Sequence, residues 1–183
     1  MITKIIIAGA GGQGIMLLGK VIATAAMKEN KFVTWLPAYG AEVRGGTANC
    51  AVIISDQPIG LPYIEQADFL LVMNEPSLLK FKGRVKKRGI IIVNNSLAKV
   101  SPIQHIRILE GPFTQTALEI GNIKTANMAA LGFLLAHESI VGLKTVLAVI
   151  QEMAPAGKLD LVEINRKAVE EGIKLKDLQK KNA

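Results

Sequence analysis

The sequence is poor in the residues that most often carry redox and metal chemistry. Its 183 residues hold one cysteine, Cys50, and two histidines, His105 and His137. One thiol builds neither an internal disulfide nor a cysteine-held iron–sulfur cluster, so any cluster has to sit on another chain. The histidines lie far apart without metal-ligand spacing and read as structural or exposed side chains. Aromatic residues make up only 4% of the chain, and no run of them accompanies the basic stretches to provide base-stacking platforms. Apolar runs are short as well. Lys4, Lys20 and Lys28 interrupt the pattern before it reaches the roughly 18 residues that span a bilayer, so no membrane partner is expected. Met1-Ile2-Thr3-Lys4 passes straight into a strand with no signal-peptide hydrophobic region, and the expectation is a cytoplasmic protein.

What remains is an ordinary globular composition, half apolar and one-fifth charged. The length suits one domain over residues 1–183 with a core that needs no disulfide or metal. The net charge of +7 is localised in two sets. Lys80, Lys82, Arg84, Lys86, Lys87 and Arg88 form one; Lys174, Lys176, Lys180 and Lys181 form the other. A solvated face accounts for both, and no nucleic-acid partner is expected.

The chain is organised around Gly9-Ala10-Gly11-Gly12-Gln13-Gly14, between the apolar run Ile5-Ile6-Ile7-Ala8 and a helical pattern that starts near Ile15. Its spacing fits G-x-G-x-x-G. The first glycine permits the turn, the second lets a ligand approach the backbone, and the third allows close strand–helix packing. N–H groups at the helix start favour a phosphate or carboxylate. The same cluster also suits a turn that only packs strand on helix.

Ile15, Leu18, Ile22 and Ala25 share one helix face up to about Glu29. Phe32-Val33-Thr34-Trp35-Leu36 then reads as a strand ended by Pro37, and a strand–helix–strand unit of this length predicts parallel pairing. A dinucleotide site needs an acid at the end of that second strand. The region is Trp35-Leu36-Pro37-Ala38, and Glu29 belongs to the helix end, so a stand-alone dinucleotide-binding oxidoreductase is disfavoured. The glycine-bearing connection from Ala38 to Thr47 contains Glu42 and Arg44, which can pair with each other or with a partner. Asn49 to Ser55 reads as a strand in which Cys50 is a packed thiol. Ala67 to Met73 and Ile90 to Val93 read as buried parallel strands, separated by a short helix from Pro76 and a return over Arg84 to Arg88. A weaker strand covers Ile106 to Leu109. A helix from Pro112 is stopped by Gly121-Asn122. Thr125 to Ala136 reads as a buried helix in which Asn127 caps, satisfies a buried backbone group or reaches the glycine loop, the first two being favoured. Two more helices follow, one stopped by Pro155 and the last charge-rich at its end. The alternation predicts an α/β, Rossmann-like three-layer sandwich, a mostly parallel sheet with helices on both faces.

Four segments in the same order resemble the gamma subunit of 2-oxoacid:ferredoxin oxidoreductases. They are Gly11-Gly12-Gln13-Gly14, Tyr39-Gly40-Ala41-Glu42-Val43-Arg44-Gly45-Gly46-Thr47, Ser55-Asp56-Gln57-Pro58-Ile59 and Asn127-Met128-Ala129-Ala130-Leu131-Gly132. The likeness covers essentially the whole chain, and the version of the second segment is most like the 2-oxoglutarate type. Pyruvate, branched-chain 2-oxoacid and indolepyruvate enzymes use related subunits. The resemblance implies a complex that decarboxylates a 2-oxoacid on thiamine diphosphate with Mg²⁺, passes electrons through iron–sulfur clusters to ferredoxin, and releases an acyl-CoA. It implies alpha, beta and delta subunits as partners, and these companions carry the cofactors, none of which this chain binds alone. It assigns no catalytic or metal-binding residue here. The residues expected to face CoA or a partner are Gly9, Gly11, Gly12, Gln13, Gly14, Tyr39, Glu42, Arg44, Gly45, Gly46, Thr47 and Asn127.

Overall fold

The computed structural model describes residues 1–38 and 47–181, with side chains through Asp177. Six strands form one sheet: β1 (Ile2–Ala10), β2 (Phe32–Ala38), β3 (Thr47–Ser55), β4 (Ala67–Val72), β5 (Val85–Asn94) and β6 (Arg107–Gly111). Their order is β2-β3-β1-β4-β5-β6. β3 runs antiparallel to both β1 and β2, while β1, β4, β5 and β6 pair in parallel. Five strands therefore share one direction, and the sheet is mostly parallel.

Direct pairing of the first two strands does not occur. β1 and β2 point the same way, as the helix between them requires, but β3 lies between them. Antiparallel neighbours need only a short connection, and β3 matches β1 over its whole length, from Ile2 opposite Ser55 to Ala10 opposite Thr47. Pro37 does not end β2 either. It stays in the ladder opposite Cys50, as an edge strand allows, since the outer side of β2 has no neighbouring strand to which a backbone N–H must donate. The return over Arg84 to Arg88 is likewise part of β5 from Val85 onward.

Helices α1 (Ile15–Lys28), α2 (Glu75–Phe81), α3 (Phe113–Ile120), α4 (Ala126–His137), α5 (Leu143–Met153) and α6 (Leu159–Lys181) cover the sheet unequally. Strand alternation sends Ile5, Ile7, Leu71 and Ile92 into a core with α1, α3, α4, α5 and α6. Ile6, Ala8, Leu70, Ile91 and Val93 face the other way, where α2 and the irregular segments carrying Ile64 and Ala98 close a smaller core. Helices thus lie on both faces, with one face thinly covered. Local signals set several boundaries: Asn74 caps α2 through a bond from Ser77 N at 3.1 Å, and Gly121, at φ 101°, closes α3 in the left-handed region.

Among the described residues no helix is long and apolar enough to cross a membrane, and no group of three or more His, Cys, Asp or Glu is placed to hold a metal ion.

Candidate functional site

The glycine cluster sits where β1 ends and α1 begins, on the carboxyl edge of the parallel strands. Gly12 and Gly14 have φ of 87° and 71°, values a side chain resists. Gly14 is the residue preceding α1, and no side chain caps that helix. Its carbonyl accepts Leu18 N within the first turn and also Asn127 Nδ2 at 3.1 Å. A Cβ on Gly14 would lie 2.3 Å from that same amide nitrogen. Asn127 is therefore brought to the glycine loop. It satisfies the backbone there and, through Oδ1, at Met128 N, while the residue before α4 is Thr125, which makes no side-chain cap.

Gln13 is committed within the fold. Its Oε1 accepts Ala10 N at 2.7 Å and its Nε2 donates to Met73 O at 3.3 Å, so one side-chain amide ties the end of β1 to the end of β4. Met73 O also accepts Asn94 Nδ2 at 3.1 Å, and Asn94, fully buried at the end of β5, exchanges two bonds with Thr114 at the start of α3. This amide belt ties the ends of three strands together through direct side-chain hydrogen bonds, which fixes the shape of the edge. Asn94 and Thr114 were not among the residues read as functional. Their signal was available in a polar residue closing a buried apolar strand, followed by a helix start.

Gly9 is enclosed, with a Cβ there reaching Gln13 Oε1 and Ile15 Cδ1 at 2.7 Å. Gly11 and Gly12 have nothing within 4 Å of a Cβ, so their backbone is open. Beside them lies a cleft of about 150 Å³ lined by Gly12, Gln13, Leu97, Thr114, Ile123 and Lys124. Leu97 and Ile123 are 47% and 55% exposed, giving the cleft an apolar lip, and Lys124 brings a cation. Thr47 reaches the same edge opposite Ala10, where its hydroxyl accepts Lys80 Nζ at 2.8 Å. Tyr39, Glu42, Arg44, Gly45 and Gly46 lie outside the described residues. The ends of their segment, Ala38 and Thr47, are both held on this edge.

The opposite edge removes the dinucleotide reading further. Glu29 accepts Gly142 N at 2.7 Å and lines a separate cavity of about 750 Å³ with Thr3, Lys31, Ser55 and Asp56. The helix has carried it the full length of the sheet away from the glycine turn. Lys31 holds the exposed Asp56 carboxyl down to about 2.

Cys50 is fully buried, its Sγ directed at Ile15 O at 3.6 Å. Burial pushes the thiol up to about 12, offset only in part by the neighbouring Trp35 indole and Gly19 backbone. A neutral enclosed thiol is neither nucleophile nor metal ligand. Iodoacetamide at pH 8 should leave Cys50 unmodified in the folded chain and alkylate it in urea, as read by mass spectrometry; equal rates in both states would show an accessible thiolate.

An α/β scaffold with a glycine turn, a buried amide belt and a small cleft at its carboxyl edge places the chain in the Rossmann-like class of folds. A family model described as pyruvate ferredoxin/flavodoxin oxidoreductase matches residues 4–175, and the chain belongs to that family. It is similar to ketoisovalerate oxidoreductase subunit VorA of Methanothermobacter marburgensis, 36% identical over 170 residues, covering 92% of this chain and 35% of VorA. It thus spans about a third of the length of that relative. It also resembles 2-oxoglutarate synthase subunit KorC of Methanocaldococcus jannaschii, 32% identical, covering 84% of each protein. Among solved structures, the gamma subunit of a keto/oxoacid ferredoxin oxidoreductase from Geobacter sulfurreducens superposes with a TM-score of 0.81 at 29% identity, covering 94% of this chain and 96% of that one.

Proposed function

We propose that this chain is the gamma subunit of a 2-oxoacid:ferredoxin oxidoreductase, with 2-oxoglutarate as the 2-oxoacid, CoA as acyl acceptor, and succinyl-CoA, CO₂ and reduced ferredoxin as products. The observation that carries the reading is the open backbone at Gly11 and Gly12 beside a cleft with an apolar lip and one lysine. CoA carries a pantetheine arm, with two amides between methylene and gem-dimethyl groups, that links its thiol to its phosphates. Leu97 and Ile123 suit the arm, while Lys124 and the N–H groups at the start of α1 suit a phosphate. Arg44, in the segment between Ala38 and Thr47, adds a bidentate donor for phosphate or carboxylate, with Glu42 to orient it.

The cleft is smaller than the roughly 300–1,000 Å³ of a complete ligand pocket. It takes one part of CoA, and companion alpha, beta and delta subunits supply the rest of the channel. The one thiol among the described residues is buried and cannot hold an iron–sulfur cluster, and we assign the clusters, thiamine diphosphate and Mg²⁺ to other chains of the complex. Those groups belong to the companions, and the chain is inactive alone. Its work is to shape one wall beside the thiamine site. Cytoplasmic placement goes with this role.

Substituting Gly11 by valine puts a side chain into the open approach without a strained φ. In the assembled enzyme it should raise the KM for CoA about tenfold or more and leave the KM for the 2-oxoacid unchanged. An unchanged CoA KM with intact assembly would count against the CoA wall. A branched-chain 2-oxoacid is the second reading, favoured by the 36% identity to VorA against 32% to KorC. Assay of the purified complex with 2-oxoglutarate, 3-methyl-2-oxobutanoate, pyruvate and indolepyruvate decides between them.

A further inference from the structure

The basic stretch at residues 82–88 is not an ordinary solvated helix face. β4 and β5 pair Ala67 with Val85 and next Phe69 with Ile90, so four residues of β5 stand opposite Asp68 alone. The surplus loops out. Lys86, Lys87 and Arg88 are exposed in succession where a regular strand would alternate, and Arg88 adopts φ 64°. Its backbone N–H donates to His105 O at 2.7 Å, and His105 itself is at φ 62°. Two non-glycine residues in the left-handed region, bonded to each other, hold this bulge in shape. Bulges of this kind re-aim side chains.

An apolar anchor lies beside these cations. Arg84 donates to the carbonyl of Ile64, which is buried against α2 and β5, and this pins the β3–β4 connection to the foot of the basic cluster. The same connection carries Leu61 and Tyr63, exposed by 76% and 73%. Lys82, Arg84, Lys86, Lys87 and Arg88 face two acids in these segments, Asp68, which Lys86 pairs, and Glu65. An exposed tyrosine and leucine flanked by surplus cations has the make-up of a protein interface, in which aromatic and arginine side chains supply most of the binding. Tyr63 is the one exposed aromatic here, since Phe81 is buried, so successive bases find no stacking surface.

We propose that Leu61 and Tyr63, with Lys82, Lys87 and Arg88, dock an acidic face of a companion subunit of the same enzyme. This rests on the subunit reading above. The surface lies where β4 and β5 begin, on the sheet edge opposite the glycine cleft, so the chain binds a companion there while its other edge stays free for CoA.

The test is to purify the native assembly through a tagged copy of this chain and follow its dissociation by mass photometry at 50 and 500 mM NaCl. Lys82→Glu/Lys87→Glu should weaken retention of the companion about tenfold or more at low salt, with the difference shrinking at high salt as charges are screened. Tyr63→Ser should weaken it at both salts. All these side chains are exposed, and circular dichroism should match wild type. Unchanged retention in both variants overturns the docking surface and leaves the subunit reading standing. Failure of the wild-type chain to hold any thiamine-diphosphate-dependent companion overturns both. Tight binding of a 20-nucleotide single strand, abolished by Lys82→Glu/Lys87→Glu without change in assembly, assigns the patch to nucleic acid and overturns the proposal.

Discussion

Gly172→Val should cost more than about 3 kcal/mol of stability and lower the melting temperature by about 10 °C. A Cβ on Gly172 would lie 2.0 Å from Ala129 O, and a Cβ on Gly132 would lie 1.9 Å from Val169 O. Each glycine thus faces a backbone carbonyl of the opposite helix, with Ala129 and Ala168 fully buried in the same contact. A flexible side chain can move aside from a new methyl, whereas a helical carbonyl moves only with its helix. Relief requires α4 and α6 to separate along their length, which opens the core that α4 closes against the sheet.

The sign of the smaller substitution is the sharper test. In an exposed helix Gly→Ala stabilises by up to about 1 kcal/mol. At Gly132 and Gly172 it should destabilise by about 1–3 kcal/mol. Urea unfolding of Gly132→Ala and Gly172→Ala measures this directly, and a rise in midpoint for either would show that the helices do not meet so closely.

Gly14→Ala should be the most damaging change on the carboxyl edge. It places a side chain at φ 71°, worth about 1–2 kcal/mol, and drives Asn127 off the Gly14 carbonyl, worth about 1 kcal/mol more. Asn127→Ala alone should cost about 1–2 kcal/mol, because the carbonyl then keeps only Leu18 N as a partner. The two changes share one contact, so they should not add. The double variant should be at least about 0.5 kcal/mol more stable than the sum of the singles implies. Additive values from denaturant unfolding would show that the two residues act independently. In the assembled enzyme Gly14→Ala should also raise the CoA KM, since the loop that frames the cleft is then remade.

Much of the scaffold is legible in the order of the residues. The run Ile5 to Ala8 before clustered glycines marks a strand and the start of a helix at Ile15, because turn chemistry is decided by adjacent residues. Continuous apolar stretches mark β4 and the centre of β5, since strands buried on both faces have no polar side to show. Gly121 ends α3 for the same local reason. Pro37 misled as a strand end because its effect depends on whether the strand has a neighbour on its N–H side. Val85 to Arg88 misled because a charged stretch reads as a loop when the bulge that exposes it lies in the pairing with β4.

The candidate site divides along the same line. Glycine spacing by itself determined where the turn lies and which strand edge it occupies, and the residues Trp35 to Ala38 determined that no acid follows to hold a ribose. Only the tertiary structure decided that Gln13 is spent on Met73, that Asn127 reaches Gly14 across 113 residues of chain, that Asn94 and Thr114 complete the belt, and that β3 enters between β1 and β2. Conformational preference is a property of neighbouring residues and is written in their order. A hydrogen-bond partner or a strand neighbour is chosen by packing among remote segments, and the sequence of either segment carries no address for the other.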